Sequence, residues 1–116
     1  MVVKKNVCYS YDNELDVAVI TVNEDYKYKE SIRLDFGVYL DIDINNHPVS
    51  LEIVDISKIL NVNKDKLNNP KIITNILIKN GLIKVSVLFN FKNVEEKYVK
   101  NIANDFNIPE GETILA

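Results

Sequence analysis

The pair Asn80–Gly81, at the centre of KIITNILIKNGLIKVSVLFNFK (residues 71–92), constrains this chain more than any other feature. A two-residue type I′ turn needs positive φ at both central positions, and Asn-Gly supplies both at little cost. Closure there pairs Ile78 with Ile83, Ile76 with Val85, Thr74 with Val87 and Ile72 with Phe89. One face of the hairpin is then almost wholly apolar. The other face is not fully polar, because Ile73 falls opposite Leu88, Leu77 beside Lys84 and Leu82 beside Lys79. A contiguous apolar patch of roughly a few hundred Å² usually marks a contact. The cover is the rest of the chain, a second copy or another protein. Domains are built of packed layers, and a twofold homodimer is the commonest external solution. The pattern predicts a homodimer or small-protein site including Ile73, Leu77, Leu82 and Leu88.

The N-terminal half also reads as strands. LDVAVITV (15–22) is apolar on both faces apart from Asp16, as in a central strand covered on both sides. SIRLDF (31–36) alternates, with Ile32, Leu34 and Phe36 on one face. GVYLDIDI (37–44) and PVSLEIV (48–54) are joined across Asn45–Asn46–His47. A tight turn there sets Ile42 against Val49, Leu40 against Leu51 and Val38 against Ile53. Tyr39 then faces Glu52, Asp41 lies near Ser50, and Asp43 stands beside them. Period-two alternation assigns these acids to the solvated side of an antiparallel sheet. The sharper alternative is a metal or acid–base site built from Asp41, Asp43, His47 and Glu52. Calcium needs about six to eight oxygen ligands, and a flat sheet face converges few. No metal and no cofactor are therefore expected. Asp55, just before ISKIL, is placed to cap a short helix over 56–60.

Residues 61–70, NVNKDKLNNP, have the composition of a linker. After the hairpin, Asn93 with Glu96 three residues on has the form of a capping box. Val94, Tyr98, Ile102 and Phe106, with Val99 and Ala103 adjacent, make an apolar stripe at helical spacing, so a helix is expected over 94–106. The tail EGETILA is a short edge strand or loose. The fold class expected is α+β: an antiparallel β-meander with a short helix, then a β-hairpin and a C-terminal amphipathic helix. The expected organisation is a meander domain over 1–60, a linker over 61–70 and a hairpin–helix extension over 71–116, packed as one unit.

With 116 residues, a net charge of −3 and a single arginine, Arg33, the chain lacks the basic clustering of a nucleic-acid binder. No apolar run approaches the ~20 residues of a membrane span, and the N-terminus has no signal-peptide core. The one cysteine, Cys8, makes no internal disulfide and reads as a buried strand residue; cytoplasmic residence is expected. The glycines Gly37, Gly81 and Gly111 are isolated, so there is no phosphate loop. Tyr9, Tyr11, Tyr26, Tyr28 and Tyr39 have no basic groove beside them for stacking single strands.

YDNELDVAVITV (11–22), DFGVYLDID (35–43) and SLEIVDISK (50–58) together resemble the YuzE-like family of small domains of unknown function. The matching positions are Tyr11, Asp12, Glu14, Asp16, Ile20, Gly37, Asp41, Asp43 and Glu52; Arg33, Asn46 and Ser50 depart from the pattern. The resemblance spans about residues 9–60 and implies a compact β-meander with a short helix. Some members look like the small partner in a two-gene toxin–antitoxin arrangement, which implies protein binding. The expected function is a non-catalytic protein-interaction module, antitoxin-like. The alternative is a small hydrolase or metal-dependent enzyme using the acidic sheet face, which requires Asp41, Asp43 and Glu52 to converge in a concave pocket.

Overall fold

A computed structural model describes residues 2–116. The N-terminal half supplies β1 (Val2–Lys5), β2 (Val7–Asp12), β3 (Val17–Val22), β4 (Tyr28–Asp35), β5 (Val38–Asp43) and β6 (Pro48–Val54), then the short helix α1 (Ile56–Leu60). The C-terminal half supplies β7 (Lys71–Lys79), β8 (Leu82–Phe91), β9 (Val94–Ala103) and β10 (Gly111–Leu115). They form two five-stranded sheets: a meander sheet in the order β2-β3-β6-β5-β4, and a hairpin sheet in the order β1-β10-β7-β8-β9. Every pairing is antiparallel except β1 with β10.

The β7–β8 register is the one the Asn-Gly turn dictates, with Ile78 opposite Ile83 and Ile72 opposite Phe89. Asn80 and Gly81 have φ of 52° and 74°, both positive as type I′ requires. The chain turns again at Lys92–Asn93, where Lys92 has φ 62°, and Phe91 pairs with Val94. The next segment corrects the expected C-terminal helix: Val94–Ala103 is a ten-residue strand. Val94, Tyr98 and Ile102 are four apart, a spacing that fits one face of a helix and also one face of a strand. The half-buried face of β9 includes Glu96 and Lys100 as well as Tyr98 and Ile102, and Glu95, Lys97 and Val99 point outward. Asp35 of β4 accommodates that inward polarity: Tyr98 Oη donates to Asp35 Oδ2 at 3.0 Å, and Lys100 Nζ lies 3.7 Å from Asp35 Oδ1. The long strand β8 also needs a partner for its second edge, which β9 provides. The fold is thus β-rich, not α+β, with one α-helix of five residues among the described residues.

The inner faces of the two sheets enclose one core. Ile20, Leu40, Leu51 and Ile53 come from the meander sheet, and Ile76, Ile83, Val85 and Phe89 from the hairpin sheet, each at most 1% exposed. Phe89 and Phe91 stack with centroids 6.0 Å apart. Leu67, from a 3-10 turn over Lys64–Asn68, inserts into the same core, and its carbonyl accepts from Tyr9 Oη at 2.6 Å. Thr74 stands fully buried there, its Oγ1 without a hydrogen-bond partner. Such a hydroxyl costs about 1–3 kcal/mol.

In the meander, Val38 opposes Ile53 and Leu40 opposes Leu51, but a register shift after Asp41 sets Ile42 against Pro48 rather than Val49. Phe36 leaves the inner face for the turn between β4 and β5, where it is 80% exposed beneath the Arg33 guanidinium. Asp55 adopts a left-handed conformation and makes no side-chain cap. The cap of α1 comes instead from Asp16: its Oδ1 accepts from Ser57 N at 3.2 Å, and its Oδ2 from Ser57 Oγ at 2.6 Å.

Candidate functional site

Alternation places Asp41 and Glu52 on the outer face of the meander sheet, but that face is not simply wet there. Adjacent strands bring Thr21, Ser50, Asp41 and Ser31 into one cross-strand row, with Glu52 in the next. Asp41 is only 8% exposed. Its Oδ1 accepts from Ser31 Oγ at 2.5 Å, and Ser31 Oγ in turn lies 2.7 Å from Tyr28 Oη. Thr21 Oγ1 and Ser50 Oγ are 3.0 Å apart. A hydrogen bond with Asp41, then partial burial, then the Asp41 charge push the Glu52 carboxyl up to about 7. Burial and the charges of Asp41 and Glu52 likewise raise the Tyr26 phenol. Sequence alternation found this face, but not its burial or the bonds within it.

Asp43 and His47 go elsewhere. Asp43 Oδ1 accepts from the backbone N–H of Asn45 and of His47, both at 2.9 Å, so it closes the β5–β6 turn. His47 is exposed beside it. Asp43, His47 and Tyr26 line an open depression of about 400 Å³, which neither Asp41 nor Glu52 lines. Asp43 and His47 are thus turned to that depression, and it does not bring them together with Asp41 and Glu52. Among the described residues, no group of three or more His, Cys, Asp and Glu side chains is arranged to hold a metal. Cys8, expected to be buried, is exposed on β2 opposite Thr21.

The acidic start of the meander has a structural explanation. Tyr11 Oη donates to Asp16 Oδ1 at 2.7 Å, and Asp12 Oδ1 accepts from Leu15 N at 2.9 Å, so both acids organise the β2–β3 turn. Burial pushes the Asp16 carboxyl up, but hydrogen bonds from Ser57 and Tyr11 outweigh it and hold the group below the usual range. Burial, then the bond to Asp16, raise the Tyr11 phenol. At Gly37, φ is +77° and an added Cβ would lie 3.3 Å from both Cβ and O of Val54. Tyr11, Asp12, Asp16 and Gly37 therefore act as a folding signature.

The outer face of the hairpin sheet is different in kind. Ile73, Leu77, Leu82 and Leu88 all lie on it, with Ile73 directly opposite Leu88 and Leu77 diagonal to Leu82. Ile73 and Leu82 are 51% and 49% exposed, and Leu77 and Leu88 are half-buried. Val99 of β9, 45% exposed and opposite Ser86, extends the face and was missed because its segment reads as helix. A polar row, Asn75–Ser86, divides the aliphatics; Asn75 Nδ2 donates to Glu112 Oε1 at 3.2 Å.

Residues 9–57 match the model of a family described as a protein of unknown function (DUF2283). The matched span runs from β2 into α1 and leaves β7 to β10 outside it. No curated protein and no solved structure matches the chain. No helix among the described residues is long and apolar enough to cross a membrane.

Proposed function

We propose that this chain is a non-catalytic protein-interaction module that docks through the outer face of its hairpin sheet, around Ile73, Leu77, Leu82 and Leu88. One observation carries the reading: the meander covers the inner face of the hairpin sheet, whereas among the described residues no strand or helix is layered over the outer aliphatics, two of which stay about half exposed. The YuzE-like resemblance of residues 9–60 supports the same direction, since it implies a small binding partner, antitoxin-like, rather than an enzyme. On the acidic face, Asp41 accepts from the Ser31 hydroxyl and stands beside Glu52, and neither lines the depression at Asp43 and His47, which weighs against the hydrolase or metal-enzyme alternative.

This reading calls for another protein on the face, a homodimer mate and a small partner being the two candidates. A photo-crosslinking residue in place of Ser86, at the centre of this face, should give a discrete adduct in the producing cell. The same residue in place of Ser10, on the opposite outer face, should not. Leu88→Lys should remove the adduct while the far-UV spectrum stays unchanged. Equal labelling from Ser86 and Ser10 would sink the reading.

A further inference from the structure

The outer face of the hairpin sheet carries a charge opposite to that of the chain. The net charge overall is −3. Cross-strand register nevertheless sets Lys4, Lys71, Lys79, Lys84 and Lys97 on this face, against only Glu95 and Glu112. These lysines interleave with the aliphatics: Lys79 lies opposite Leu82, Lys84 opposite Leu77, and Lys97 opposite Leu88. Side chains directly opposite on neighbouring strands stand about 5 Å apart at Cβ, so an ammonium-bearing stem lies beside each of these leucines. None of the ion pairs among the described residues uses these lysines.

We propose that this face docks a protein surface whose apolar side chains are interleaved with aspartate or glutamate. The occupant is an acidic partner, not a second copy of the chain. The inference rests on the reading of this face as a docking surface and adds the partner's chemistry. Two copies meeting through it would bring their lysines together, and like charges across an interface suppress association. Stacking on the meander's outer face of another copy is no better. The acids there are already engaged: Asp41 by Ser31 and Glu52, and Asp43 by its own turn. Lysine stems lie along apolar surface while their ammonium groups reach outward, so the leucines are partly sheltered until a carboxylate-bearing surface draws the stems aside.

The probes are two synthetic peptides of equal length, one alternating leucine with glutamate and the other leucine with lysine, titrated into the full chain labelled with ¹⁵N. The acidic peptide should move amide resonances of β7, β8 and β9 and leave those of β2 and β3 in place. Three exposed ion pairs should favour it over the basic peptide by about tenfold. Lys84→Glu combined with Lys97→Glu should erase that preference at exposed positions where the fold tolerates it. Equal binding of the two peptides on this face would overturn the acidic partner and leave the docking surface standing. Failure of both to move these amides would overturn it as well. The same shifts with phosphatidylglycerol vesicles and not with peptide would assign the face to a membrane. A doubled mass by light scattering, restored to monomer by Leu88→Lys, would assign it to a second copy.

Discussion

The two outer faces of this sandwich begin from similar alternating strands and end in opposite conditions. On the meander sheet, the outward side chains bond one another: Ser31 to Asp41, Thr21 to Ser50, Tyr28 to Ser31. On the hairpin sheet they are mainly leucine, isoleucine, valine and lysine, and among the described residues the side-chain bond there is Asn75 with Glu112. A buried polar group is stable only when paired, so a face that supplies its own partners has little left to offer a ligand. Exposed aliphatics have no such internal remedy. The face that carries the bonded acids is therefore the self-sufficient one, and the face of interleaved aliphatics and lysines is the one with few internal bonds among the described residues.

The severest test of that contrast lies at Asp16, the most connected acid of the meander. Asp16→Ala removes acceptors for Tyr11 Oη, Ser57 Oγ and Ser57 N at once. It should lower stability by about 3 kcal/mol, measured by urea unfolding, because hydrogen bonds to charged groups are the strong ones. A loss under about 0.5 kcal/mol, the range of ordinary surface changes, would mean the meander does not depend on its internal bonds.

The turns give a smaller effect. Gly37 and Gly81 both hold positive φ, but an added Cβ meets Val54 at Gly37 and nothing within 4 Å at Gly81. Gly37→Ala should therefore cost about 2 kcal/mol and Gly81→Ala about 1 kcal/mol, the second being left-handed strain alone. Gly81→Val should cost more than Gly81→Ala, because a β-branched residue tolerates that φ least. If the order of the two alanine variants is reversed, crowding against Val54 does not distinguish the turns.

The smallest effect is a dependence on pH. Glu52 is raised from 4.5 to about 7 in the folded chain, chiefly by its hydrogen bond to Asp41. The folded state thus holds a proton that the unfolded state releases earlier. Its contribution to stability is full below pH 4.5, declines as pH rises through about 7, and is gone above that. Asp16 acts in the opposite sense, since its folded value lies below 3.8 and its contribution fades only as pH falls under that. Between pH 5 and 8 the urea midpoint should drift downward through Glu52, and Glu52→Gln should flatten the drift. An unchanged slope in Glu52→Gln would show that the two carboxyls do not share a proton.

Some of this was plain in the sequence, for physical reasons. The β7–β8 register follows from period-two alternation on both sides of a turn with a single favoured closure. The outward placement of Asp41 and Glu52 follows from the same alternation. Strand β9 was hidden because Val94, Tyr98, Ile102 and Phe106 stand four apart and satisfy both periods. The residues that separate the alternatives are Glu96 and Lys100, and Lys100 is accommodated by Asp35, far away in the chain. The cap of α1 was misplaced at Asp55 for a related reason, since the acceptor that serves Ser57 comes from 41 residues earlier. Local pattern reports which way a side chain points, whereas distant partners decide whether it is buried, paired or left free.

The parallel pairing of β1 with β10 sets a timetable for assembly. Val2 lies beside Glu112 and Lys5 beside Leu115, so β1 leaves the ribosome well before its partner strand exists. At roughly 5–20 residues per second, that wait lasts several seconds. The meander sheet, β2 through β6, is already synthesised in the meantime, and β7 to β9 come next as adjacent hairpins with short closures. Strand β10 follows all the others in the chain, so its ladder with β1 cannot form before they are synthesised, and it spans the greatest separation among these strands. Until then the free edge of β7 has no neighbour, and a nascent chain exposes Lys71–Lys79 as an open strand. Any chaperone requirement should be concentrated in that interval.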